Sequence, residues 1–194
     1  MYVRDAKNRD EAWLLDHIEA MSLDETAFRS RDYVIAMDEE TNEKAGFGRV
    51  RIHKTDDGEV CELTSIGVLD DWRGQGVGAH VIERLVRTAD DEGFEEVYSL
   101  TGESDYLTQF GFERIEVPQL PGRLEERLVE KQENLEPEAV PMRLAPREFE
   151  MPSHLREAFK GARVDDEPDE PEEGPEDFGI DPEEATYKYD TGRQ

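Results

Sequence analysis

The chain has 194 residues, enough for one domain with its own core, and carries 50 acidic residues against 23 basic ones, for a formal net charge of −27. A surface this negative argues against nucleic acid or an anionic membrane as partner, and the single cysteine, Cys61, excludes an internal disulfide or a cysteine metal cluster. Residues 1–164 alone keep a balance of −16 with arginine far ahead of lysine, which points to a cytoplasm of molar salt where screening removes self-repulsion.

Taken along the chain, Tyr2–Ala6 predicts a short strand, and Asp10–Met21 a helix with Trp13, Leu14, His17, Ile18 and Met21 at helical spacing. Ser22-x-x-Glu25 reads as a capping box opening a second short helix through Phe28. Tyr33–Met37 and Ala45–His53 flank a polar turn and form a hairpin. Asp56-Asp57-Gly58 then turns the chain into a long strand, Glu59–Leu69. Val77–Asp91 is an amphipathic helix striped by Val77, Val81, Leu85 and Ala89 and closed by Gly93. A buried strand (Val97–Leu100), a short helix (Ser104–Phe110) and another strand (Phe112–Val117) follow. Past Pro118 and Pro121 come a charged helix (Arg123–Asn134), a strand (Ala139–Leu144) and a last helix (Ser153–Lys160). From Asp165 the chain turns to Asp, Glu, Pro and Gly, too polar to offset ordering entropy, so residues 165–194 read as a disordered or loosely docked tail to a domain of residues 1–164. No run is apolar enough to span a membrane, and the first residues lack the core of a signal peptide, so a soluble cytoplasmic protein is expected.

The chemistry concentrates where the long strand ends. After Val68-Leu69-Asp70-Asp71-Trp72 comes Arg73-Gly74-Gln75-Gly76-Val77-Gly78, opening directly into the amphipathic helix. Alternating glycines let a ligand approach the backbone, and the free amides and dipole of the helix's first turn favour an anion, so a phosphate is the expected ligand. A P-loop would need Lys and Ser/Thr where Ala79 and His80 stand. A dinucleotide fingerprint would run its strand straight into the first glycine, whereas Asp70 to Arg73 intervene.

The remaining pattern, Arg/Gln-x-x-Gly-x-Gly/Ala, is filled by Arg73, Gly76 and Gly78, and resembles the acetyl-CoA pyrophosphate loop of the GNAT superfamily of N-acetyltransferases. The element order resembles that fold over about residues 2–145: a mixed α/β (α+β) architecture whose central sheet is mostly antiparallel and flanked by helices. The resemblance implies acetyl-CoA as cosubstrate, held by Arg73, Gly74, Gln75, Gly76, Val77 and Gly78. It places Gly67 and Val68 at a bulged strand end where a main-chain amide meets the acetyl carbonyl, and a strand glycine fits such a bulge. It makes Glu62 the candidate general base, because this position on the fourth strand carries a catalytic glutamate in lysine-acetylating members. In a mostly apolar strand its pKa is expected to rise. The alternative for Glu62 is a solvent-facing or arginine-paired strand residue. The family's acid is commonly a tyrosine four residues before a terminal Gly-Phe. With Gly111-Phe112 that position is Leu107, and the candidate, Tyr106, is one place off, a rotation of about 100° on a helix. Arg29 and Arg31 lie where the family closes over its acceptor and are candidates to hold a carboxylate. The four histidines are scattered and read as structural or surface residues, and no metal is expected.

The reading that follows is an N-acetyltransferase acting by direct attack in a ternary complex on a small amine or amino acid. A protein lysine or N-terminus is the nearest alternative acceptor, and a homodimer is a candidate assembly. The rival from another class is a non-catalytic acyl-CoA-binding module, against which Glu62 argues; a dehydrogenase comes third.

Overall fold

A computed structural model describes residues 1–163; the acidic tail read from Asp165 onward lies outside the described residues. Seven strands form one sheet in the order β1-β2-β3-β4-β5-β7-β6. They are β1 (Tyr2–Asp5), β2 (Tyr33–Met37), β3 (Lys44–Thr55), β4 (Gly58–Val68), β5 (Val97–Thr101), β6 (Glu113–Arg114) and β7 (Val140–Leu144). Every pairing is antiparallel except β4 with β5, which a crossover helix joins as parallel neighbours. That crossover is α2 (Val77–Asp91), at the predicted bounds, with Val77, Val81, Leu85 and Ala89 all buried. Its terminator is Gly93 at φ +87°, which lets Phe94 N–H reach back to the Ala89 carbonyl. The other helices are α1 (Glu11–Ala20), α3 (Ser104–Thr108), α4 (Gly122–Asn134) and α5 (Ser153–Lys160).

Period-two alternation along β3 sorts the two faces of the sheet. Gly48 faces α2, where a Cβ would press to 2.7 Å from Val81. Phe47 faces α1 and joins Leu14, Ile18, Tyr33 and Ile35 in one apolar cluster, and α4 covers a second, with Tyr98, Leu100, Leu124 and Leu128. Between these clusters, still under cover, β3 and β4 present polar side chains. That strip is the site described below.

Two expected elements are corrected. Residues 22–28 form no helix: Ser22 and Ala27 take left-handed backbone angles, φ +54° and +51°. The side chain of Asp24 caps Thr26 N–H. The sheet takes the carbonyls, because Arg49 donates to Thr26 and Ala27, and Ser65 Oγ donates to Asp24. A helix would need those carbonyls for itself, so tertiary contacts override the local capping signal. The strand expected over Phe112–Val117 shrinks to Glu113–Arg114, because a 3-10 turn begins at Val117.

The N-terminal end is pinned by Asp10, 2% exposed, whose carboxylate takes Arg4 at 2.8 Å and Lys44 at 3.0 Å. Lys44 also sits 4.8 Å over the Trp13 ring. The Arg4 hydrogen bond, with the Lys7 amide and Lys44, outweighs burial and holds the Asp10 carboxyl far below the usual carboxylate range. A depressed folded value means the contribution is complete above the ordinary carboxylate pKa and is lost as pH falls toward the lower one. Asp10→Asn is therefore expected to cost about 2 kcal/mol at pH 7, roughly 5 °C in Tm. The gap to the wild type should narrow in melts below pH 4.

Candidate active site

The β4 strand changes character halfway along. Up to Cys61 and Glu62 it pairs with Val97 and Tyr98 of β5, and there the parallel ladder stops. On its other side the register with β3 slips by one residue: Phe47 pairs with Gly67 and Arg49 with Thr64, leaving Ser65 and Ile66 out of the pairing. The extra residue is absorbed at Ser65, at φ +49°. Gly67 lies just past the bulge and back in the ladder, so its strand role differs from the one expected. It is glycine for space, since a Cβ there would meet Met21 Sδ at 2.7 Å and the Phe47 ring at 2.8 Å. Beyond Glu62, therefore, β4 and β5 part, and main-chain groups along β4 face an opening.

That opening is a cavity of about 470 Å³ whose lining includes Ile66, Val68, Arg73, Gly74, Gly76 and Gly78. Gly74 and Gly76 both have φ +73°, which an L side chain rarely adopts. The turn they make leaves the N–H groups of Gly74 through Ala79 without an acceptor among the described residues. Open amides at the start of a helix make a geometry that can receive an anion. Trp72 is buried beneath the loop, and Val77 is buried at the start of α2. Arg73 pairs with Asp70 at 3.0 Å and lines both this cavity and a neighbouring one that reaches Gly67 and Met21.

Tyr106 and Leu107 both line the same cavity, Leu107, at the position the family pattern indicates, as a buried apolar residue and Tyr106 with its ring partly exposed. A methyl built on Gly78 would lie 3.3 Å from both the Tyr106 hydroxyl and Val68 Cγ2, so the phenol stands beside the strand end. Burial raises the Tyr106 phenol above its ordinary pKa, which keeps it protonated at neutral pH.

Glu62 lies on the opposite face, fully buried. Its Oε2 accepts from His53 Nε2 at 2.8 Å and meets Arg127 Nε of α4 at 3.5 Å, while Oε1 has no partner. Burial pushes its carboxyl up, but the His53 hydrogen bond and the Arg127 charge outweigh that and hold it below the ordinary value. The expected upward shift is corrected accordingly: a desolvated carboxylate held by a hydrogen bond and a guanidinium is a paired one. Arg51, directly across from Glu62 in the ladder, turns instead to Asp24 at 3.4 Å, and Asp24 also holds Arg127. Asp24, His53 and Arg127 were not singled out by sequence. His53 was within reach of the register, because the Asp56-Asp57-Gly58 turn fixes Arg51 opposite Glu62 and puts His53 on the same face. Arg127 and Asp24 stand 65 and 38 residues away in the chain, beyond any spacing rule.

Arg29 lines a cavity at the β3 edge, but Arg31 does not. Cys61 is buried, and burial pushes its thiol up to about 12, so it is no nucleophile. Among the described residues no group of three or more His, Cys, Asp or Glu is placed to hold a metal ion, and no helix is long and apolar enough to cross a membrane.

Residues 3–112 match the model of the acetyltransferase (GNAT) family. An uncharacterised N-acetyltransferase of Chlorobaculum tepidum is 29% identical over 66 residues, 34% of this chain and 43% of that protein. The chain thus spans less than half the length of this curated relative. Among solved structures, Rv2747 of Mycobacterium tuberculosis in complex with CoA superposes with a TM-score of 0.61 at 16% identity, covering 75% of this chain and 99% of that one. The N-acetylglutamate synthase of Neisseria gonorrhoeae with CoA and N-acetyl-glutamate gives 0.60 at 14%, covering 74% and 34%. A ribosomal-protein-alanine N-acetyltransferase from Brucella melitensis gives 0.52 at 18%, covering 75% and 99%. At such identities these structures speak to the fold.

Proposed function

The chain belongs to the acetyltransferase (GNAT) family, and from that premise we propose that it is an N-acetyltransferase moving acetyl from acetyl-CoA directly to the primary amine of a small molecule or amino acid. The observation that carries this reading is the parting of β4 from β5 after Glu62 and Tyr98, beside a glycine turn with free amides. The turn would take the pyrophosphate, and the amides around the β4 bulge would steady the acetyl oxygen as charge builds on it. The amine nitrogen attacks the thioester carbon and the carbon–sulfur bond breaks. Glu62 takes the ammonium proton through water, and Tyr106 returns one to the thiolate. A second cavity of about 680 Å³, lined by Glu19, Asp24, Glu25 and Glu130 with Arg127, suits a cationic amine on its way to Glu62. The excess of acid over base, with 17 arginines to 6 lysines, supports a salt-rich cytoplasm as the working environment.

The test is CoA release from acetyl-CoA in molar KCl against amino acids, polyamines and lysine peptides. Release with one acceptor class, and none without acceptor, is the expected result. Tight acetyl-CoA binding with no release for any amine would instead indicate an acyl-CoA-binding module. Tyr106→Phe is expected to lower kcat about tenfold, less than a general acid can supply because a thiolate also leaves unaided, with KM for acetyl-CoA within about twofold. An unchanged kcat would remove Tyr106 from the reaction.

A further inference from the structure

We propose that the cavity at the open edge of β3 is an anion subsite for the acceptor, so that the amine acetylated by this protein carries a carboxylate; the inference rests on the acetyltransferase reading above. Strand β2 pairs with β3 only as far as Arg49, so the edge from Val50 onward is uncovered by β2. A cavity of about 530 Å³ lies there, and its charged wall is Arg29, Arg49, Arg51, Lys54 and Arg123, with His53 beside them. Among the described residues no acidic side chain lines it. Acidic residues outnumber basic ones by 37 to 21 over residues 1–163, so a wall with five cations and no carboxylate runs against the composition of the whole chain.

The carboxylates that touch these cations stand outside the cavity and are too few to balance them. Asp32 serves both Arg29 (3.0 Å) and Arg49 (3.4 Å), Asp24 serves Arg51 (3.4 Å), and Glu126 serves Arg123 (2.9 Å). Lys54 has no ion pair among the described residues. Two positive charges are left over. Arg49 is fixed in this wall: it is 1% exposed, its guanidinium is clamped by the Thr26 and Ala27 carbonyls, and its Nε–H is buried without a partner among the described residues. The cavity lies one side chain away from the base: His53 belongs to its wall and bonds Glu62 at 2.8 Å. An acceptor reaching across this point would set a carboxylate among the arginines and its amine on the Glu62 side. Guanidinium forks match carboxylate geometry, and Arg49 and Arg51, 1% and 11% exposed, are the least screened by salt.

The experiment measures acetyl transfer by the full chain to amino acids, each paired with its own carboxamide, and calorimetric binding of glutarate to the CoA-loaded protein. The reading predicts kcat/KM at least tenfold higher for the acid than for its carboxamide. It also predicts that Lys54→Glu combined with Arg123→Glu raises KM for the acid at least tenfold with kcat within about twofold, and weakens glutarate to match. CoA binding and the melting temperature check that the variant folds. Equal KM for acid and carboxamide, with glutarate affinity untouched by the charge reversal, would overturn the anion subsite and leave acetyl transfer standing. Glutarate binding that the reversal abolishes, with no amine ever acetylated, would leave the subsite and overturn the acetyltransferase reading.

Discussion

Glu62→Gln is expected to lower kcat by about 10²-fold or more, the usual contribution of a general base, while acetyl-CoA affinity stays within about twofold. The two readouts separate because Glu62 lies on the α1/α4 face of the sheet, whereas the glycine turn that would hold CoA opens at the start of α2. The amide is nearly the shape of the carboxylate, so the variant tests charge and basicity rather than packing. Asp24 still balances Arg127 in the variant, so the buried guanidinium is not stranded. Wild-type turnover in Glu62→Gln would reduce the residue to a partner of His53 and Arg127.

The direction of its pKa shapes the pH profile. Burial raises the Glu62 carboxyl, but His53 and Arg127 together bring it below its ordinary value, so it is ionised at neutral pH. Activity should therefore rise with pH toward the ionisation of the free amine rather than through an acid limb near neutrality, a rate-against-pH measurement on wild type. For stability the sign is that of a depressed carboxyl: its contribution is present above the ordinary glutamate pKa and lost as pH falls through the lower folded value.

The parts of the molecule that sequence predicts are those whose signal is local. The α2 stripe, the strand leading into it, and the glycine turn between them lie within about thirty residues, and period and turn chemistry suffice for them. Of the carboxylate's surroundings only His53, across the hairpin, follows from local register. Arg127 reaches Glu62 from a helix 65 residues on, and Asp24 reaches Arg127 from a loop that propensity alone reads as a helix. That loop departs from its local preference because Arg49 and Ser65 capture its carbonyls, a consequence of the sheet beneath it. The sign of the Glu62 shift was misread for the same reason: an apolar strand predicts desolvation, while the partners that reverse it come from elsewhere in the chain.

Helix α5 was predicted at its observed bounds, but nothing in its sequence indicates where it docks, and this gives the glycine turn an asymmetry that mutation should expose. Gly74 and Gly76 share the same backbone angle, φ +73°. A Cβ on Gly74 meets nothing within 4 Å, whereas one on Gly76 would fall 2.2 Å from the Leu155 carbonyl oxygen of α5. The α5 segment cannot retreat cheaply. Phe159 stacks on His80 at 3.8 Å, Arg156 pairs with Glu83, and the Gln75 side chain both donates to and accepts from the Arg163 backbone. Gly74→Ala should therefore cost only the left-handed penalty of about 1 kcal/mol, with acetyl-CoA binding weakened a few-fold at most. Gly76→Ala adds a backbone clash to that penalty and is expected to cost about 3 kcal/mol or more. Relief of the clash by rotating the turn would pull several amides off the phosphate, at roughly 1.5–3 kcal/mol for each bond to the charged group. Acetyl-CoA affinity should then fall by about 10²-fold. Thermal melts with and without acetyl-CoA read both effects: Gly74→Ala should keep most of the ligand-induced rise in Tm and Gly76→Ala should lose it. Equal losses in the two variants would mean that backbone angle alone governs the turn and that α5 contributes nothing to its shape.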